Sequence, residues 1–322
     1  MDRTPEQALE WHRAGKGAAL ATVVETWGSA PRRVGAMLAV SGEGDLAGSV
    51  SGGCVEGAVV TEAFEALETG KSVMLTYGVS DDDAFAVGLA CGGTIRILLQ
   101  PVGFDAGLPE ATLDALCQAR DRREPVAHVI DTETWTSHIA GAGEYPDRFR
   151  ADRSGMEEDG TTFVAIHNPP LRMTIVGAVH IAQALVPMAR IAGYDPLIID
   201  PRPAFAAESR FPGEEIIDDY PDVALAQRPL DTRTALVLLT HDPKIDDPAL
   251  ELGLRSGAFY IGALGSTRTH AKRVERLKAN GFTEAEIARI HAPVGLDIGA
   301  AGPAEIAISV IAEVTRVLRK GA

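Results

Sequence analysis

The sequence predicts an α/β protein: an N-terminal mixed α/β domain, residues 1–168, followed by a doubly wound parallel-sheet domain, residues 169–322. Three observations carry this. After residue 171 the runs "RMTIVGA", "DPLIID", "TALVLLT" and "AFYIGAL" are short and almost continuously apolar. Such runs suit parallel strands buried on both faces. Between them "HIAQALVPMARIAG", "DDPALELGLRSG" and "THAKRVERLKANG" read as helices, and alternating β and α means a doubly wound sheet. Third, "HNPP" at 167–170 marks a boundary, because paired prolines cannot continue a helix and bias the chain to an extended form.

The elements follow in order. A helix is expected from Pro5 to Ala14. "AALATVVET" and "GAMLAVS" read as strands around the turn "WGSAPRR". "CVEGAVVTEAFEALETG" carries apolar residues at helical spacing and stops at Gly70, a glycine C-cap. "SVMLTYG" and "GTIRILLQP" are strand-like, with "VSDDDAFAVGLACG" between them. Residues 103 to 168 are less regular: a helix near Glu110 to Arg122, a strand "VAHVID", and a polar stretch, "GAGEYPDRFRADRSGMEEDG", expected as a surface loop or hairpin excursion. Pro187 lies inside the first helix of the second domain and should kink it or end it early. The last helix starts near Pro303, carries its stripe in "EIAISVIAEVTRVL", and ends on Arg316, Arg319, Lys320 and Gly321, which suit a helix C-terminus.

The bulk numbers exclude some functions. Of 322 residues, 46% are hydrophobic and 23% charged, which suits two domains with sizeable cores. The net charge of −15 argues against a general nucleic-acid grip. No apolar run is long enough for a membrane span, and the N-terminus lacks the apolar core of a signal peptide. Three cysteines argue for a reducing compartment rather than a disulfide framework. The expected location is the cytoplasm, with neither nucleic acid nor membrane as partner.

"TIVGAVHIAQAL" lies where the glycine loop of a Rossmann-like domain should lie. The fingerprint G-x-G-x-x-G would need glycines at 177, 179 and 182, and the chain has Gly177, Val179 and Ala182. The missing second glycine is the one that lets a pyrophosphate approach the backbone. Asp200 ends the second strand roughly 20 positions on, where an acid would hold a ribose 2′-OH. The fold signal is intact and the NAD(P) signal is damaged. Two further loops fall at strand ends, where open α/β sheets bind ligands. "LTHDPKID" offers His241 and Asp242, with a surface turn as the plainer reading. "IGALGSTRTHAKR" places Gly265, Ser266 and Arg268 at a helix start, an anion site by its N–H groups, hydroxyl and guanidinium. A plain N-cap followed by a solvated basic face carries equal weight.

Glycine also surrounds two of the cysteines. "GSVSGGCVEG" holds Ser51, Gly52, Gly53 and Cys54, and "GLACGGTIRI" holds Cys91, Gly92 and Gly93. A structural cysteine needs no glycine beside it. Glycine-rich turns can present successive N–H groups to an anion. A helix N-terminus, where Cys54 is expected, favours thiolate, a soft ligand. Zinc is poorly supported, because no C-x-x-C or histidine cluster completes four ligands. Cys117, in "ATLDALCQAR", reads as core.

"TWGSAPRRVGAMLAV", "GSVSGGCVEGAV" and "GLACGGTIRILLQP" resemble the N-terminal domain of the XdhC/CoxI family. "IVGAVHIAQAL", "IIDPRPAFA", "YIGALGSTRTHAKR" and "PVGLDIGAAGPAEIAISVIAEV" resemble its C-terminal Rossmann-like domain. The family commonly reads G-A-G-H where this chain has Gly177-Ala178-Val179-His180. The resemblance implies a molybdenum-cofactor chaperone. Such proteins bind molybdopterin or its dinucleotide form and protect it while a cysteine desulfurase supplies the sulfido ligand. They deliver it to an apo molybdenum hydroxylase such as xanthine dehydrogenase. They are cytoplasmic, often homodimeric, and maturation factors rather than independent enzymes. With the residue reading, it makes Ser51, Gly52, Gly53, Cys54, Cys91, Gly92, Gly93, Gly177, His180, Asp200, Gly265, Ser266 and Arg268 the cofactor-binding set, and Cys54 and Cys91 the metal ligands. Two other classes stay open: an NAD(P)-dependent oxidoreductase on the C-terminal domain, and a thiol enzyme acting through Cys54.

Overall fold

A computed structural model describes residues 3–28, 32–78 and 93–321. The chain divides into two compact units, Met1–Pro169 and Pro170–Ala322.

The first unit opens with α1 (Thr4–Arg13), β1 (Ala18–Trp27), β2 (Met37–Ser41), β3 (Leu46–Gly48), α2 (Glu56–Thr69), β4 (Val73–Tyr77) and β5 (Thr94–Pro101). The strands form an antiparallel sheet in the order β3-β2-β1-β5-β4. The central β1 is buried on both faces. Ala19, Ala21 and Val23 pack in one core with Val59, Ala63 and Ala66 of α2. Ala18 and Leu20 pack in another with Ala8 and Leu9 of α1 and Leu113 and Leu116 of α3 (Glu110–Asp121). Small alanines on β1 leave room for helices on both sides. As expected, α2 stops at a left-handed Gly70.

The irregular region proves more ordered than its composition suggests. β6 (Val126–Asp131), β7 (Ser137–Gly141), α4 (Pro146–Ala151), β8 (Gly155–Met156) and β9 (Thr162–His167) include a second antiparallel sheet, ordered β7-β6-β9-β8. The polar stretch expected as a loop holds α4 and β8. Phe149 anchors it in a core with Ala127, Val129 and Val164. Arg148 ties it down through Glu157 at 2.6 Å and the Met156 carbonyl at 2.7 Å. His128 on β6 and His167 on β9 are both buried. Burial pushes their imidazoles down to about 4 and about 3.

The second unit contains β10 (Leu171–Val176), α5 (His180–Ile191), β11 (Tyr194–Ile199), β12 (Glu215–Ile217), α6 (Pro221–Gln227), β13 (Thr234–Leu238), α7 (Pro243–Arg255), β14 (Tyr260–Ala263), α8 (Thr267–Ala279), α9 (Glu284–Ile287), β15 (Ile290–His291) and α10 (Pro303–Lys320). The sheet is parallel throughout, in the order β12-β11-β10-β13-β14-β15. Its strand order reverses between β10 and β13, the switch point of a doubly wound fold. One core joins it to α5 and α10, and another to α6, α7, α8 and α9. The fold class read from the sequence holds. Pro187 neither ends α5 nor shortens it: the helix runs on to Ile191. α7 starts at Pro243, ahead of the expected position, because Asp242 caps it by accepting from the Lys244 N–H at 2.9 Å. Among the described residues no helix is long and apolar enough to cross a membrane.

Candidate functional site

Two glycine loops and one cavity concentrate the chemistry. The first loop joins β3 to α2. Gly52 and Gly53 take φ of +79° and +113°, a region that side chains disfavour. Their N–H groups point inward, as a nest should. The occupant is the chain's own Glu56. Its carboxylate accepts from the N–H groups of Ser51 at 2.9 Å, Gly52 at 3.1 Å and Gly53 at 2.9 Å. It also accepts from the Ser49 hydroxyl at 2.7 Å and from the Ser51 hydroxyl. Burial alone would raise this carboxyl, but the two hydroxyls and the backbone N–H groups outweigh it and hold Glu56 down at about 2. The donors expected for a ligand phosphate are therefore taken. What the loop leaves free is Cys54, which is exposed just before α2.

Cys117 is the opposite case. It is buried beside α1, and burial, with the nearby Glu6, pushes its thiol up to about 12. Cys91 and Gly92 lie outside the described residues, while Gly93 is buried immediately before β5. Among the described residues no three His, Cys, Asp or Glu side chains are grouped to hold a metal ion.

The second glycine loop follows β10. A Cβ on Gly177 would lie 2.6 Å from Thr240 Cγ2 and 3.2 Å from the Thr240 nitrogen, so the β13 loop itself requires glycine there. The Gly177 N–H donates to the Ile199 carbonyl at 2.8 Å. The Ala178 N–H donates to Asp200 Oδ2 at 2.8 Å, and its carbonyl accepts from Arg210 at 2.6 Å. Asp200 is fully buried, and Arg202 grips both its oxygens at 2.8 and 2.7 Å. Burial raises this carboxyl, yet Arg202 and the Ala178 N–H together bring it below its ordinary value. The ribose contact expected of Asp200 is replaced by an internal clamp. Val179 packs against the core beside α5, and His180 is exposed at the first position of that helix.

The cavity lies at the carboxyl ends of β13 and β14. Its volume is about 340 Å³, and His241, Asp246, Arg268, Lys272, Arg273 and Arg276 are among its lining residues. Ser266 is the N-cap of α8, its hydroxyl accepting from the Thr269 N–H at 3.2 Å. The plain capping role therefore describes Ser266. The solvated-face reading fails for Arg273, which is only 2% exposed. Spacing could have found it: Arg273 precedes the buried Leu277 by one turn and shares its face. Glu56 was also missed, although an acid three positions after Gly53 is within reach of that turn.

Fold and loops define a Rossmann-like domain joined in one chain to a mixed α/β domain that presents a glycine-flanked thiol. Residues 173–314 match the XdhC Rossmann domain, and residues 11–78 match the XdhC and CoxI family. The chain is 33% identical over 310 residues to the molybdenum cofactor insertion chaperone PaoD of Escherichia coli, covering 96% of this chain and 86% of that one. It is 29% identical over 323 residues to a probable xanthine dehydrogenase subunit of Bacillus subtilis, covering 94% of each. A crystal structure described as a xanthine dehydrogenase from Bacillus halodurans superposes with a TM-score of 0.61 at 26% identity, covering 99% of this chain and 96% of that one. The chain belongs to the XdhC and CoxI family.

Proposed function

We propose that this protein is a molybdenum-cofactor chaperone. It binds the cofactor as cargo, shields it while a cysteine desulfurase provides the sulfido ligand, and hands it to an apo molybdenum hydroxylase such as xanthine dehydrogenase. The observation that carries the reading is the exposed Cys54 thiol on a loop that Glu56 fixes, in a chain whose relative over 96% of its length is an insertion chaperone. The donor set fits cargo better than a resident ion. Among the described residues there is no cage of three metal ligands. A metal already held by its own dithiolene sulfurs would not depend on such a cage, and a thiolate is a soft donor of the kind it would accept. Cys54 and Cys91 supply thiols in this reading, and His180 and Arg268 are exposed groups that the cofactor would meet. Ser51, Gly52, Gly53, Gly93, Gly177, Asp200, Gly265 and Ser266 shape the loops. The functional domains are residues 1–168 and 169–322, and a homodimer is the proposed assembly.

The oxidoreductase reading meets a specific obstacle. Each Asp200 oxygen already accepts from two donors, so none is left free for a ribose hydroxyl.

The test is retention of cargo. Molybdenum and oxidised pterin are measured per folded chain after co-expression with the cofactor pathway. Cys54→Ser and Cys91→Ser should each lower both, since a hydroxyl is a poor soft-metal ligand. Cys117→Ser should retain wild-type amounts. Equal retention by all three sinks the thiol role, and loss only in Cys117→Ser reverses it.

A further inference from the structure

We propose that the cavity between the β13–α7 loop and α8 is a receptor for a phosphate or pyrophosphate group. The argument starts from Arg273. Its side chain is 2% exposed, and a buried guanidinium normally has every N–H partnered. Here Nη2 donates to Asp246 Oδ2 at 3.3 Å and to the Leu264 carbonyl at 3.2 Å. Nε and Nη1 have no partner among the described residues. Buried donors left unpaired are costly, and they sit on a residue that lines the cavity. A ligand in the cavity would complete the group with a turn of the guanidinium toward it, both nitrogens being shut off from the cavity as it stands.

The surrounding charge fits an anion. Arg276 is neutralised by Asp247 at 2.6 and 2.9 Å. Asp246 is the one acid among the described residues lining the cavity, and its oxygens are engaged by the Thr240 hydroxyl at 2.5 Å and by Arg273. Arg268 and Lys272 line the cavity without an acidic partner among the described residues. They stand on the first two turns of α8, where the helix dipole adds positive potential. His241 reaches the cavity from the opposite loop, at a φ of +64° that few histidines adopt. Two such cations, a buried arginine fork with spare donors and a helix start make a site for a compact, doubly charged tetrahedral anion. A single carboxylate also pairs with a guanidinium fork, but it brings only one negative charge to the cations gathered here. In a chain of net charge −15 this is a local exception to the overall field.

The cavity stands on its own geometry, and its assignment to the phosphate of the cargo rests on the chaperone reading above. The pterin phosphate and a dinucleotide pyrophosphate share this chemistry. The experiment is calorimetric titration of the full chain with sodium pyrophosphate, orthophosphate and AMP at low salt. Wild type should bind pyrophosphate, and the affinity should fall with ionic strength. The double variant Arg268→Ala/Lys272→Ala should bind it about tenfold or more weakly. Arg273→Lys keeps the charge and the Asp246 partner, and should also weaken binding by losing the fork. Lys278→Ala, on the same helix but outside the cavity, should bind as wild type. Pyrophosphate far ahead of AMP points to the dinucleotide form, and parity points to the monophosphate. No binding by wild type, or equal binding by wild type and the double variant, overturns the proposal. Pyrophosphate binding without retained pterin in wild type upholds the cavity and rejects the chaperone reading.

Discussion

The two glycine loops solve one problem in different ways. Each receives an acid from the chain itself, three N–H groups meeting it in the first loop and one, that of Ala178, in the second. In the first loop the acid is local: Glu56 lies three positions after Gly53 and collects its donors from Ser49 to Gly53, all within seven positions. In the second the acid is remote: Asp200 reaches Ala178 from 22 positions on, across two parallel strands. Glu56 is partly open to solvent and has no cationic partner among the described residues, whereas Asp200 is fully buried and gripped by Arg202. Glycine content alone therefore does not make an anion site. What decides is whether the chain already supplies the anion, and how firmly.

The largest expected effect is of pH, and it has to be separated before the loops can be compared in acid. His128 and His167 are held neutral by burial, at about 4 and about 3 against an ordinary 6.5. The unfolded chain takes up protons first as pH falls through 6.5, so stability is lost from there down to the folded values. The slope is at most about 1.4 kcal/mol per pH unit for each histidine. Glu56 behaves as a depressed acid. Its contribution is complete above 4.5 and is lost as pH falls toward about 2. Urea unfolding between pH 7 and 3 should show the histidine step, and His128→Phe should flatten it while leaving the carboxylate step in place.

Next comes the remote clamp. Asp200→Ala leaves the Ala178 N–H and the Arg202 guanidinium without their partner, and should cost about 3–5 kcal/mol in urea unfolding. The local clamp should be weaker. Glu56→Ala should cost about 1–3 kcal/mol. Its signature should be faster alkylation of Cys54 as the loop loosens, with Glu56→Gln in between. If Glu56→Ala proves costlier than Asp200→Ala, the ordering of local and remote clamps is wrong. The smallest effect is expected at the damaged fingerprint. Wild type should show no micromolar NAD(P) binding by calorimetry. Val179→Gly should not restore it, because Asp200 still occupies the Ala178 N–H. Binding gained by Val179→Gly alone would mean that bulk, not occupancy, is the barrier.

The contrast also marks what the sequence made legible. The runs "RMTIVGA" and "TALVLLT" announced β10 and β13 because a strand buried on both faces must be apolar throughout. β12 has three residues and β15 has two, too few for any periodicity to register. α4 was hidden because only one of its six residues, Phe149, is buried, among three charged ones. At the candidate site the glycines and Cys54 were visible by type. Glu56 was overlooked although its partners are close in sequence. The Asp200–Arg202 clamp was masked by the expectation of a ribose. The exposed α8 residues read as a solvated face until folding turned Arg273 inward.

The tethered carboxylate of Glu56 has a further consequence, for competition from ambient solutes. An open nest of N–H groups would collect whatever small anion is abundant around it. Glu56 is held beside the nest by only a few bonds, so it competes at an effective concentration that a free ion in dilute solution does not match. Inorganic phosphate or sulfate must displace it against that advantage and against the hydroxyls that hold it. The loop can thus idle without filling by accident, and its neighbouring thiol stays uncovered for the partner that arrives with more than charge to offer.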